Sequence, residues 1–336
     1  MPTTTPINLH DAAVRVRRWC DAVAVPDQPY GTYRFRMDDP ANFYASCDVA
    51  IMRWMTGENL RETLSATQRQ QWVAVINSYQ QPHDGHYGPE MNHHIAHANG
   101  TASKALSALG GSYRYPVGFF RLFNTPEKVG PWLTQIQWTN SWSASHLVIG
   151  GPVLWMNYRL ATDEWKAACF AWFDAEVDQF GTWPRTIPYD NTNPLTPIGC
   201  GVHMWPLYRH AGRPVPQLEY LADLALDTQQ PAGYWDRVGG YGTLDALYVL
   251  AVAVEQDLPR SPAYRDAVAR YVPTHFAAMN TAWRTRNAHE VQGWTGCIGY
   301  MQRTLPDRFA GDMRWGDIFD LKELFDLDTV LGEHII

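Results

Sequence analysis

The sequence has little of what binds nucleic acid, spans membranes or staples small secreted domains. Lysine and arginine total 27 against 34 aspartates and glutamates, a net charge of −7, so the clustered cations that neutralise a phosphate backbone are missing and no nucleic-acid partner is expected. No apolar run reaches the roughly 18 residues of a bilayer-spanning helix, so no membrane span is expected. The start, Met1-Pro2-Thr3-Thr4-Thr5-Pro6, lacks the charged-then-apolar profile of a secretory signal, which leads to an expected cytoplasmic location. The five cysteines, Cys20, Cys47, Cys169, Cys200 and Cys297, are odd in number and far apart. No paired spacing suggests structural zinc or a disulfide framework, and reduced, buried thiols are expected.

Aromatic rings and imidazoles are abundant: 15 Trp, 17 Tyr and 12 His, beside only 18% charged residues. At 336 residues, 46% of them hydrophobic, one large domain over 1–336 is the expectation, with 307–336 as an acidic C-terminal cap. Two kinds of helix alternate along the chain. Amphipathic, charged stretches run over 10–23, 65–79, 125–137, 163–177, 216–228 and 262–282 and should sit outside, wet on one face. Stretches rich in Gly, Ala, Ser and aromatics run over 42–55, 93–109, 140–158, 198–210, 241–254 and 292–304; apolar all round, they should be buried.

A short phrase recurs between the two kinds: a glutamine, a gap, a glycine, and an aromatic two residues on. Its copies are Gln81…Gly85-His86-Tyr87, Gln179-Phe180-Gly181-Thr182-Trp183 and Gln230…Gly233-Tyr234-Trp235. Glycine permits the backbone angle that reverses a chain between helices, glutamine can satisfy loose backbone groups, and the ring can pack beneath the turn. The apolar helices begin at intervals of roughly 50 residues, a period typical of stacked supersecondary units. With no strand signal between them and no polar capping repeat at either end, the pattern predicts an all-α, (α/α)6 toroid of six outer and six inner helices. The loops before the inner helices, 82–92, 182–197 and 284–291, would then gather at one mouth. This repeated phrase resembles the repeat motif of the terpenoid cyclase and protein prenyltransferase superfamily of α/α toroids. The resemblance covers most of the chain as architecture. It implies a central cavity, and in class II cyclases an Asp-x-Asp-Asp acid; the nearest string here is Asp326-Leu327-Asp328-Thr329, in the C-terminal tail. The zinc-binding Asp, Cys and His of the prenyltransferases have no counterpart that can be placed, so neither a metal site nor a cofactor is expected.

Candidate chemistry concentrates where the inner helices begin. The stretch from Asp84 to Thr101 is densest, and His94, His97 and Thr101 share one helical face. An i, i+3 histidine pair lacks the commoner i, i+4 metal signature, which leaves acid/base work or a core role bonded to backbone. Asn140 opens Asn-Ser-Trp-Ser-Ala-Ser-His, ending at His146, and either caps the helix or binds a substrate carboxylate. Cys200 with His203 could form a nucleophile pair, although a buried inert thiol is the favoured reading. Asp245 is the one charge in an otherwise apolar helix and should be paired or functional, as should Asp48; burial could separate the two into acid and base. The candidate catalytic set is therefore Asp48, Asp84, His94, His97, His146, His203, Tyr241 and Asp245. The candidate binding set is Tyr44, Tyr87, Asn99, Asn140, Trp142, Asp190, Trp205, Trp235 and Trp294.

Hydrogen-bonding groups beside many rings suit a sugar, whose hydroxyls need partners and whose faces stack on aromatics. The expected function is acid/base catalysis on a carbohydrate, by a lyase or a glycoside hydrolase acting on an oligosaccharide or small molecule, with a homodimer left open. The alternative is an isoprenoid cyclase or dehydratase-isomerase in which a cavity Asp or His supplies the proton.

Overall fold

The computed structural model describes residues 6–88, 95–183, 194–279, 283–319 and 331. It is mostly helical. In chain order the helices are α1 (Leu9–Ala22), α2 (Phe43–Met55), α3 (Leu60–Thr63), α4 (Ala66–Asn77), α5 (Ile95–Leu109), α6 (Pro126–Gln135) and α7 (Ser141–Ile149). Then follow α8 (Pro152–Asn157), α9 (Asp163–Glu176), α10 (Thr196–His210), α11 (Leu218–Thr228), α12 (Tyr241–Glu255), α13 (Ser261–Met279) and α14 (Ala288–Thr304). Strand pairing among the described residues is short: Ile7–Asn8 lies parallel to Phe309–Ala310, and Ala24–Tyr33, Arg34–Ala41 and Gln80–Tyr87 form isolated antiparallel bridges. Asparagine starts several of these helices for one reason: its side-chain oxygen accepts an orphan backbone N–H of the first turn. Asn8, Asn42, Asn140 and Asn287 each do so, for α1, α2, α7 and α14.

By internal contacts the chain divides into two compact units, Met1–Ser65 with Leu218–Ile318, and Ala66–Gln217 with Phe319–Ile336. In the first unit α14 lies between α2 and α12, while α1 covers α2 and α11 and α13 cover α12. The three inner helices are buried almost all round, as their apolar composition requires. The start of the C-terminal segment belongs to this core and is not a solvated cap. Trp315 is buried and donates its indole N–H to the Thr295 carbonyl at 2.8 Å, and Asp317, also buried, accepts from the Tyr300 hydroxyl and pairs with Arg303. In the second unit α7 lies between α5 and α10, with α4 against α5 and α6 against α9.

The stretch expected as one helix over 140–158 is two. Gly151 has φ −124° and ψ −97°, outside the helical region, and Pro152, which has no N–H to continue the ladder, starts α8. Gly150 serves another purpose. A Cβ there would lie 1.7 Å from the Ala96 carbonyl oxygen, so only glycine lets α7 approach α5 this closely. At the other end of the chain, α14 begins four residues before the expected Gln292. A capping box does this: Asn287 accepts from the Glu290 N–H and Glu290 accepts from the Asn287 N–H.

The repeated turns are built as expected in their glycines and rings. Gly85, Gly181 and Gly233 have φ of 73°, 75° and 92°. Each ring two residues on ties back to the preceding outer helix: Tyr87 donates to Asn77, Trp183 to the Phe173 carbonyl and Trp235 to the Ala225 carbonyl. The anchor, however, is one residue earlier than the sequence suggests. Gln80, not Gln81, donates to the Gly85 and Tyr115 carbonyls at 2.9 and 2.8 Å and accepts from the Arg114 and Tyr115 N–H groups. Gln229, not Gln230, donates to the Gly233 and Ala267 carbonyls. At the middle copy Asp178, not Gln179, accepts from the Phe180 and Thr182 N–H groups and the Thr182 hydroxyl. Each anchor satisfies turn backbone that no helix ladder reaches, and Gln229 also ties its turn to α13 at Ala267.

Gln80→Ala should therefore cost about 2–4 kcal/mol in urea unfolding of the full chain, because several buried backbone groups lose partners at about 1–3 kcal/mol each. Gln81→Ala should stay within about 0.5 kcal/mol of the parent; equal losses for the two variants would contradict this assignment.

Candidate functional site

In each unit titratable side chains from several buried helices come together. In the first unit the centre is the Asp48 carboxylate, on the second turn of α2 and wholly buried. Gln292 of α14 donates to its Oδ1 at 2.8 Å, and Nδ1 of His289, one turn earlier on α14, lies 3.1 Å from its Oδ2. An imidazole ordinarily holds a proton more strongly than a carboxyl, so Nδ1–H donates to Asp48, and in the ring's neutral form the lone pair lies on Nε2. This is a base oriented by a buried carboxylate, the same division of labour as in hydrolytic triads. The imidazole is fixed from two sides: Tyr241 of α12 stacks on it at 4.6 Å and 29°, and the Tyr44 ring meets it edge-on at 5.6 Å. Tyr241 in turn has its hydroxyl 2.8 Å from Gln292 Oε1 and 3.0 Å from the His289 carbonyl. The capping box that starts α14 early thus places His289 and Gln292 on the same helix one turn apart, with both side chains against α2.

Asp245 lies one turn into α12. Burial pushes its carboxyl well above the ordinary carboxylate range, and the nearby Asp236 adds to the shift. Asp236 is itself committed to starting α12, accepting from the Thr243 N–H and hydroxyl. The Tyr241 phenol is likewise pushed up, first by burial and then by Asp48 and Asp245. Two carboxyls of one unit therefore sit in opposite environments: Asp48 with a donor at each oxygen, Asp245 kept as a neutral acid by apolar surroundings.

In the second unit three inner helices bring three histidines together. His97 of α5, His146 of α7 and His203 of α10 each place one ring nitrogen so that all three lie within 4.8 Å of one another. Their ring centroids are 5.0 Å (His97–His146), 4.9 Å (His146–His203) and 6.3 Å (His97–His203) apart. The close approach at Gly150 is what allows α5 and α7 to make the first of these pairs. Ser145 lies 2.7 Å from His203 Nδ1 and 2.5 Å from the Trp142 carbonyl oxygen. The half-exposed Trp142 ring covers Gly199, where a Cβ would sit 2.7 Å from it, one helical turn before His203.

The remaining candidates fall into other roles. Asn99 is wholly buried and spent on the first turn, accepting from the Tyr87 N–H and donating to Nδ1 of His86, whose ring burial holds below the ordinary imidazole range. Asp84 lies in the same turn, accepting from the His86 N–H and pairing with the exposed His83. Asn140 is exposed and its Oδ1 caps α7. Tyr87, Trp205, Trp235 and Trp294 are buried core rings, with Trp294 donating to the Val238 carbonyl. The Cys200 thiol is buried and pushed up by that burial, which leaves it protonated and without nucleophilic character. All five cysteines are free and buried. His94 and Asp190 lie outside the described residues. His289 and Gln292 are absent from the candidate set read from sequence, although Asn287-Ala288-His289-Glu290, with a carboxylate three residues after an asparagine, carries the capping signal that would have revealed them. Among the described residues no helix is long and apolar enough to cross a membrane.

Because Asp245 binds its proton more tightly folded than unfolded, its contribution to stability is complete below the ordinary carboxyl value of 3.8 and is lost as pH rises toward its raised value. Asp245→Asn, neutral at every pH, should match the parent in stability near pH 3 and exceed it at pH 7. Chemical denaturation at both values checks this; a variant less stable than the parent at pH 7 would contradict the assignment. No protein family, curated protein or solved structure matches this chain.

Proposed function

We propose that this chain is an acid/base enzyme acting on a carbohydrate, with a lyase ahead of a glycoside hydrolase, in an (α/α)6 toroid akin to the terpenoid cyclase and prenyltransferase superfamily. The observation that carries the reading is the Asp48–His289 pair: a buried carboxylate holding an imidazole so that Nε2 presents its lone pair. In elimination, that nitrogen takes the proton next to a sugar carboxylate. The leaving glycosidic oxygen receives a proton from a neutral acid, for which Asp245 or the Tyr241 phenol is suited. Lyase chemistry is favoured over hydrolysis because both Asp48 oxygens already have partners, so Asp48 serves better as an orienting group than as one half of a glycosidase carboxylate pair. The repeated anchored turns, each with a left-handed glycine and a ring tied to the preceding helix, support the toroid.

A second reading rests on Asp245 alone. A carboxylic acid kept protonated among Tyr241 and apolar side chains could also start cation chemistry on an isoprenoid, whose charge the rings would stabilise.

A thermal-shift screen of uronic-acid oligosaccharides beside prenyl diphosphates separates the two. The carbohydrate reading expects stabilisation by the former and turnover that releases an unsaturated sugar; stabilisation by prenyl diphosphates alone would overturn it. With a turned-over sugar in hand, Asp48→Asn and His289→Ala should each lower kcat by about 10²–10⁴-fold, measured as initial rates on folded protein.

A further inference from the structure

The three histidines of the second unit take no part in the chemistry proposed for the first, and their arrangement asks for a separate explanation. Three imidazoles, two of them from buried positions, converge from three different helices: His97 from the first turn of α5, His146 from the last turn of α7 and His203 from the middle of α10. Were they protonated, like charges would crowd a partly desolvated space, which is costly. As neutral rings they become a set of nitrogen ligands.

The hydrogen bonding at Ser145 decides the state of one of them. A hydroxyl has a single proton, and a carbonyl oxygen cannot donate. The Ser145 proton therefore goes to the Trp142 carbonyl, and the contact with His203 is Nδ1–H donating to Ser145 Oγ. His203 consequently carries its lone pair on Nε2. A ligating histidine ordinarily has its second ring N–H held by a protein acceptor in just this way, which fixes the tautomer and the ring's aim.

We infer that His97, His146 and His203 form a binding site for a divalent transition metal of the zinc class, with Ser145 as the positioning residue behind His203. Imidazole suits zinc, copper, iron and nickel, whereas magnesium and calcium demand oxygen ligands. Three protein nitrogens leave the fourth tetrahedral position to water or to a ligand, the pattern of open rather than structural zinc sites. Ligand nitrogens about 3.3 Å apart follow from metal–nitrogen distances of about 2.0–2.1 Å. In this structure the three nitrogens lie within 4.8 Å of one another, and metal binding would draw them closer. The half-exposed Trp142, on the same turn as Ser145, lays its ring over Gly199, one helical turn before His203.

Full-length protein, stripped with chelator and dialysed against Zn2+ or Co2+, tests the site by metal analysis and by the Co2+ absorption spectrum. About one metal per chain is expected, with the intense visible absorption of four-coordinate Co2+. Competition with a chromophoric chelator should show Ser145→Ala weakening Zn2+ binding by about 10–100-fold, and His203→Ala and His146→Ala weakening it further. His289→Ala should keep the full metal content, which makes this outcome independent of the acid/base reading. Ser145→Ala removes only a hydroxyl, so it reports on the site even where a histidine variant does not fold. A parent protein that retains no metal, or affinity unchanged in both Ser145→Ala and His203→Ala, would overturn the inference.

Discussion

One interaction recurs at the foot of three inner helices and sets where each can begin: a polar side chain that saturates the backbone of a reversing turn. Gln80, Asp178 and Gln229 each close onto their turn, and the two glutamines also reach a neighbouring segment, Tyr115 for one and Ala267 for the other. The constraint behind it is general. A buried loop carries N–H and C=O groups that no ladder satisfies, and leaving them unmet costs more than a hydrogen bond gains. A left-handed glycine supplies the reversal, and the ring two residues on ties the turn to the preceding helix. Where the turn sits then decides which side chains of the following helix lie at its start.

The same accounting governs the chemistry. An inner helix apolar on all faces tolerates a polar side chain only if it is paired or kept neutral. Asp48 is paired, Asp245 is kept neutral, and His289 and His203 are each oriented by a fixed partner. In each unit one histidine has its Nδ1 committed to a fixed acceptor, the Asp48 carboxylate for His289 and the Ser145 hydroxyl for His203. Both are thereby left with the Nε2 lone pair that a proton or a metal can use. One device thus serves two chemistries, and the neighbours decide which: a stacked phenol and a buried carboxylate around His289, two further imidazoles around His203.

Helix type and rough placement were legible because charged and apolar stretches alternate strongly, and the three glycine turns were legible because glycine and an aromatic keep a fixed spacing. The anchoring residue was not. Gln80 and Gln81 are adjacent and chemically identical, and only the path of the turn selects between them; at the middle copy the anchor, Asp178, is a different residue type altogether. The histidines at 97, 146 and 203 were identifiable singly, each near the start of a weakly charged helix, but nothing in one helix tells that its histidine meets two others. The approach that joins them depends on Gly150, which reads in sequence as half of a helix break. His289 and Gln292 escaped notice because apolar content alone placed the start of α14 too late, whereas the capping box at Asn287 sets it. Asp48 and Asp245 were legible for the opposite reason: an isolated acid in an apolar helix is conspicuous.

The proposed chemistry turns on which ring nitrogen carries the proton. Long-range 1H–15N correlation spectra of protein labelled at histidine, assigned with His289→Ala and His203→Ala, read this directly at neutral pH. The expected result is the Nδ1–H form for both residues, the minority tautomer of free histidine, with His289 reverting toward the Nε2–H form in Asp48→Asn. Finding His289 as Nε2–H in the parent protein would contradict the assignment of an oriented base, and with it the proposed reaction.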